Sequence, residues 1–144
     1  MSVKAQASGV IDQPVVKVFQ FHAHEHVRNH PRWDPDIQLE QVSEGPIGVG
    51  TLIKRINSRS GKPVEGTMEV VEFEPDHAVT MIIHDGPVKM IARSTYEAES
   101  EDRTLLIFDI EFPDMDEMNT EMLVNGMQRS IQNINQLLKS EDNE

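Results

Sequence analysis

The chain has 144 residues, no cysteine, 13 basic and 25 acidic side chains, and a formal net charge of -12. Such a length suits one domain with a sizeable core, and the lack of cysteine excludes disulfide staples, thiolate nucleophiles and cysteine-ligated metals. The negative field disfavours nucleic acid and anionic membrane surfaces as partners, and no apolar run approaches the roughly 20 residues of a membrane-spanning helix.

The N-terminal Met1-Ser2-Val3-Lys4-Ala5-Gln6 has no apolar stretch of signal-peptide kind, so a cytoplasmic protein without membrane insertion is expected. One domain over residues 1–144 is expected, ordered from about residue 3 to about 139 and ending in an acidic tail at 140–144. Val3, Ala5, Ala7, Gly9 and Ile11 alternate at a two-residue period, which predicts a first strand with one buried face. The period then lengthens. Asp12 is placed to cap and Pro14 to occupy the first turn of a helix carrying Val15, Val18, Phe19 and His22. A second short helix, over about 25–29, is expected to stop before Pro31, because the residue preceding proline is pushed out of the helical region.

Six further strands are predicted at about 38–44, 49–58, 63–74, 78–84, 88–99 and 103–112. The short turns between them, such as Ser60-Gly61-Lys62 and Asp85-Gly86-Pro87, imply antiparallel neighbours. In the last strand Leu106, Phe108, Ile110 and Phe112 share one face, so even positions point inward. The same parity turns Met90, Ala92, Ser94, Tyr96 and Ala98 inward in the strand before it. Asp114 and Glu117 have the spacing of a capping box, which predicts a closing helix of about 24 residues. Its apolar stripe is Met118, Met122, Met127, Ile131, Ile134 and Leu138, and Gly126 interrupts the rhythm either as a neutral surface position or to leave room beneath the helix.

The histidines of His22-Ala23-His24-Glu25-His26, with His30, are the most chemical-looking group. On one continuous helix His22, His26 and His30 share a face that suits a transition metal. The loop expected between the two short helices breaks that face, so no metal is assigned and the stretch reads as a solvated loop near a pocket mouth. Trp33 is expected to anchor the turn that follows. Tyr96 and Ser94 are the hydroxyls on the concave face; Tyr96 is the weak candidate for a proton donor and otherwise a polar anchor. Arg55 and Arg93, with Glu65, Glu69 and Glu97, read as cross-strand charge pairs on the solvent face. No nucleophile elbow, phosphate loop, dinucleotide fingerprint or zinc-protease motif occurs, and no cofactor is expected.

Val18-Phe19 leading to Arg32-Trp33-Asp34, then Gly48-Val49-Gly50-Thr51, then the Glu69 to Pro75 strand with its Glu-Pro turn, resemble the START-like, or SRPBCC, superfamily and within it polyketide cyclase and lipid-transport proteins. The order of elements extends the likeness over the whole chain. It implies an α+β helix-grip fold: a curved antiparallel seven-stranded sheet, β-α-α-β-β-β-β-β-β-α, wrapped around a long C-terminal helix. It further implies a cavity between sheet and helix, with Trp33, Met81, Met90, Ser94, Tyr96, Phe108, Ile110, Met118, Met122 and Gly126 as the ligand-binding set. Three functions stay open. They are carriage of a small hydrophobic, lipid-like or polyketide-like molecule; cyclase or dehydratase chemistry in the same cavity; and a protein-interaction module whose pocket is vestigial.

Overall fold

The alternating segments join into one seven-stranded antiparallel sheet in the computed structural model, which describes residues 2–142. Its strands are β1 (Val3–Ile11), β2 (Ile37–Gln41), β3 (Leu52–Asn57), β4 (Val64–Glu74), β5 (Ala78–Asp85), β6 (Val88–Ser100) and β7 (Arg103–Phe112). They lie in the order β1-β7-β6-β5-β4-β3-β2, so each strand from β2 to β7 sits beside its sequence neighbour. Short hairpins make that order cheap in chain entropy. β1 closes the far edge by pairing with β7, Ala7 opposite Phe108. The register shifts between Val70 and Glu72 on β4 and between Ala98 and Ser100 on β6, and such bulges bend a sheet.

The segment from β1 to β2 spans the sheet from one edge to the other through α1 (Val15–Phe19), a π-helical turn (Gln20–His24) and α2 (His26–Trp33). The closing helix α3 (Thr120–Asp142) lies across the concave face next to β1. Gly9 makes this approach possible, since a Cβ there meets Ile131 Cγ2 at 2.8 Å. Only the C-terminal half of α3 is buried, through Met127, Ile131, Ile134 and Leu138. Polar tethers hold the same half. Asn135 Oδ1 accepts from the Asp12 amide at 3.0 Å, Asn133 Nδ2 donates to the Trp33 carbonyl at 3.1 Å, Arg32 pairs with Glu141 at 2.7 Å, and Lys17 and Gln13 both reach Asp142. This is the helix-grip arrangement. No helix among the described residues is long and apolar enough to cross a membrane.

Several local expectations are corrected. Helix α2 runs through Pro31 to Trp33, with the Asp34 amide bonded to the His30 carbonyl at 3.0 Å. Proline in the last turn removes a single donor, and burial of Trp33 together with the Asn29 Nδ2 bond to the Phe21 carbonyl at 2.9 Å outweighs it. No loop separates the two short helices, because the Glu25 amide bonds the Gln20 carbonyl at 3.0 Å and the chain passes through the π-helical turn. Asp12 does not cap α1; its carboxylate faces Lys139 and Arg103. Asp114 and Glu117 form no capping box either. Asn119 takes that role, its Oδ1 accepting from the Met122 amide at 3.1 Å, so α3 begins at Thr120 and Met118 lies ahead of it. At the other end α3 continues past 139 to Asp142, while 143 and 144 of the expected tail lie outside the described residues.

Gly66 on β4 gives a direct test of the sheet, because a Cβ at this position falls 1.7 Å from the His84 backbone oxygen of β5. Gly66→Ala is expected to cost more than about 3 kcal/mol, since the obstacle is backbone and not a movable side chain. Gly48→Ala meets nothing within 4 Å and is expected to change stability by less than about 0.5 kcal/mol. Urea unfolding of both variants checks the pair, and equal losses contradict the register.

Candidate functional site

Beneath the N-terminal half of α3 the sheet and helix part, leaving a cavity of about 760 Å³. The reason is visible in the burial of α3: nothing lies within 4 Å of a Cβ added at Gly126, and Met122 is 71% exposed. The floor is built from inward residues of successive strands, Met68, Val79, Met81, Ile83, Met90 and Phe108. Phe108 and Ile110 face this space and are half-buried, whereas Leu106 on the same strand does not line it and is fully buried.

The π-helical turn decides what stands at one wall. Three consecutive residues, Phe21, His22 and Ala23, are buried there, and His22 is pressed between Trp33 at 5.1 Å and Phe108 at 5.3 Å, both stacked at 27°. Its Nδ1 lies 2.5 Å from the Tyr96 hydroxyl. One turn along, His26 Nδ1 lies 2.8 Å from the His22 carbonyl, which only accepts, so His26 carries its proton on Nδ1. His26 Nε2 then accepts from His30 Nδ1 at 3.0 Å. The three rings pack around Trp33, His22 and His30 stacked on it, His30 at 4.9 Å, and His26 edge-on at 5.5 Å.

Burial is the main cause that lowers all three imidazoles from the ordinary 6.5: His22 and His30 well below it, each further disfavoured by a charge on His26, and His26 to about 4. The His22 carbonyl opposes the shift of His26, and the Arg55 cation adds to it. Burial also pushes the Tyr96 phenol up, against a smaller opposing bond from Ser94. At neutral pH the stack is therefore uncharged and the phenol protonated.

Among the described residues the buried lysine, arginine, aspartate and glutamate side chains are Arg55, which lines the cavity, and Asp85 behind it. Arg55 Nε and Nη2 donate to the two Asp85 oxygens at 2.8 and 3.1 Å, and Asn57 Nδ2 adds a third donor at 2.9 Å. Two-pronged pairing of this kind compensates both ions. At the rim Arg59 pairs with Asp34, and Arg93 with Glu72 at 2.9 Å.

Of the residues singled out from sequence, Trp33, Met81, Met90, Ser94, Phe108, Ile110, Met118, Met122 and Gly126 line this one cavity. Tyr96 does not. It stands behind His22, 3% exposed, and reaches the cavity through that imidazole and through Ser94. The expected solvated histidine loop is corrected in the same way, since His22 and His26 are buried and only His24 is exposed. His22, His26 and His30 do share a face, but His22 Nδ1 is taken by Tyr96 and His26 is bonded at both nitrogens, to the His22 carbonyl and to His30. Among the described residues no group of three or more His, Asp or Glu is placed to hold a metal ion. Arg55 is not on the solvent face and pairs with none of Glu65, Glu69 or Glu97; Arg93 pairs with Glu72. The missed signal was parity. Arg55 follows Ile53 at the two-residue step, and Asp85 follows Met81 and Ile83, so both belong to the inward set.

No protein-family model matches the chain, and no curated protein sequence matches it. Solved structures do. Ara h 8.0201 is similar with a TM-score of 0.77 and 18% identity over 97% of this chain and 99% of that one. Zhui aromatase/cyclase from Streptomyces sp. R1128 is similar at 0.73 and 14% identity, over 98% and 93%. Norcoclaurine synthase from Thalictrum flavum, in complex with dopamine and hydroxybenzaldehyde, is similar at 0.74 and 13% identity, over 97% and 88%. The START-like resemblance read from the sequence thus stands as a likeness of fold.

The buried histidines predict a pH dependence. Folding lowers their pKa values, so below about 6.5 the unfolded chain binds more protons than the folded one. This part of the stability is complete above 6.5 and is lost as the pH falls toward about 4, the window set by His26. For His26 alone the shift corresponds to roughly 3 kcal/mol. His26→Gln keeps a donor for the His22 carbonyl and an acceptor for His30 but cannot titrate. Its urea midpoint is expected to fall distinctly less than that of the unaltered chain between about pH 7.5 and about pH 5. Parallel decline of the two proteins contradicts the neutral buried stack.

Proposed function

We propose that this chain, with its START-like helix-grip fold, binds and carries a small, largely apolar molecule between the sheet and α3. The observation that supports this reading best is the unfilled space of about 760 Å³ under the N-terminal half of α3. That volume lies in the range of roughly 300–1,000 Å³ common for small-molecule sites, and a mostly apolar lining with a few convergent polar groups is their usual character. Met68, Met81, Met90 and Met118 on the lining supply flexible thioether walls that adapt to the outline of a guest. Half-exposed apolar side chains around a void leave dispersion contacts unmade, and a ligand supplies them.

A second reading, a cyclase or dehydratase acting in the same cavity, is favoured by one feature: the His22 ring on the wall, backed by the Tyr96 hydroxyl at 2.5 Å. General acid-base chemistry on a carbon chain needs a second group across the substrate. Arg55 is occupied by Asp85, and the remaining acids and bases on the lining sit at the rim or in the histidine stack. Carriage is the better supported function. A vestigial pocket is not favoured by a space of this size.

The position of Gly126 provides the test. A Cβ at Gly126 meets nothing within 4 Å, so Gly126→Leu extends into the cavity from the helix side, and removing a helical glycine adds up to about 1 kcal/mol of stability. The variant is expected to keep or raise its melting temperature while binding a lipophilic fluorescent probe at least about tenfold more weakly. Native mass spectrometry of the freshly purified unaltered chain is expected to show a bound apolar molecule. Unchanged probe binding by the folded variant, or no uptake of any apolar compound, contradicts the reading.

A further inference from the structure

The edge of the His22 ring facing the cavity carries an atom with no partner in the protein. Nδ1 is engaged by Tyr96 at 2.5 Å, whereas Nε2 has no hydrogen bond among the described residues. No buried side-chain nitrogen or oxygen among them lacks a partner, so Nε2 is open to the cavity that His22 lines. Tyr96 is buried with its phenol protonated, and donating that proton to Nδ1 satisfies both groups at the short distance seen. A neutral imidazole with Nδ1 accepting must carry its own proton on Nε2. His22 therefore presents an N–H donor to a largely apolar space in which Ser94 adds a hydroxyl, and stacking between Trp33 and Phe108 fixes its direction.

We propose that His22 Nε2–H is the polar anchor of the cavity and that its partner is the carbonyl oxygen of a neutral, apolar ketone or aldehyde. The inference rests on the carrier reading and adds the ligand's functional group. An anion is disfavoured there. The one buried cation on the lining, Arg55, is held by both Asp85 oxygens, the rim cations Arg59 and Arg93 are paired, and Arg129 is exposed on the helix, so a carboxylate beside His22 has no counter-charge within the wall. A carbonyl needs only a donor, which the His22 N–H supplies beside the methionine and aromatic side chains of the floor. A hydroxyl instead brings a proton of its own that must also reach an acceptor, such as the Ser94 oxygen, while keeping the His22 bond. Tyr96 acts through His22 as a positioning residue and touches no ligand.

The probes are acetylnaphthalene, ethylnaphthalene and the matching naphthylethanol, which are close in size and differ at the group that meets His22. On the unaltered chain the ketone is expected to bind about tenfold tighter than the hydrocarbon, the gain of one good hydrogen bond in a dry site, and tighter than the alcohol. His22→Phe is expected to abolish the ketone preference and retain hydrocarbon binding. Tyr96→Phe, which keeps the ring, is expected to reduce the preference by releasing the imidazole tautomer. Nitrogen-15 spectra of the unaltered chain are expected to show His22 protonated on Nε2, a readout that needs no variant to fold. Equal binding of ketone and hydrocarbon, alcohol binding as tight as ketone, or a proton on Nδ1 overturns the anchor and leaves carriage standing. Uptake of none of the three overturns the carrier reading and the anchor together.

Discussion

Helix α3 is fastened to the sheet by one half only, and the rest of the molecule depends on that asymmetry. Met127, Ile131, Ile134 and Leu138 pack down, Gly9 lets the backbone of β1 come close enough, and Asp12, Asn133, Asn135, Glu141 and Asp142 tie the same half to neighbouring elements. Packing at the density of protein interiors normally eliminates voids. Here the rigid attachment carries the N-terminal half of the helix outward over a bent sheet, so Met122, Leu123 and Gly126 span a gap instead of filling it. The cost of unfilled space is met by the rest of the core, including Phe19, Ile11, Ile37 and Leu106, all fully buried.

The polar content of the interior follows a related rule, that each buried polar group must find a partner inside the wall. Arg55 and Asp85 neutralise one another, Asn57 takes a remaining lone pair, and His26 is bonded at both nitrogens. Packed around Trp33, His22 and His30 face to face with it and His26 edge-on, the histidines behave as aromatic core residues and not as a titrating surface patch. The consequence is a cavity whose wall is close to electrically neutral although the chain carries a net charge of -12. Most charge sits outside, and the polar groups left facing the hollow include the His22 imidazole and the Ser94 hydroxyl.

The strands were legible because burial on one face repeats every second residue, and β1, β4, β6 and β7 fall within a residue or two of the pattern. The cavity lining from β6 and β7 came from the same parity. Where a local rule competed with tertiary burial, the local rule lost. Pro31 does not end α2, because Trp33 beyond it is needed in the core, and Asp114 does not cap α3, because the chain turns into the helix only at Asn119. The histidine stack was hidden for a different reason. Its four-residue spacing was legible, but a loop was expected to break the face, and the π-helical turn at Gln20–His24 that keeps the chain helical there has no periodicity of its own to announce it. Arg55 and Asp85 were within reach of parity but read as surface residues because charge suggested exposure, a habit that fails when two opposite charges on adjacent strands meet inside.

The central claim, an apolar hollow kept open by a half-fastened helix, is tested most directly with xenon. The gas occupies dry cavities by dispersion alone and requires no assumption about the natural ligand. Crystals of the ligand-free chain equilibrated under xenon are predicted to show atoms bounded by Met68, Met81, Phe108 and Gly126. Absence of xenon from that region, with α3 found seated on the sheet along its whole length, contradicts the hollow and every function built on it.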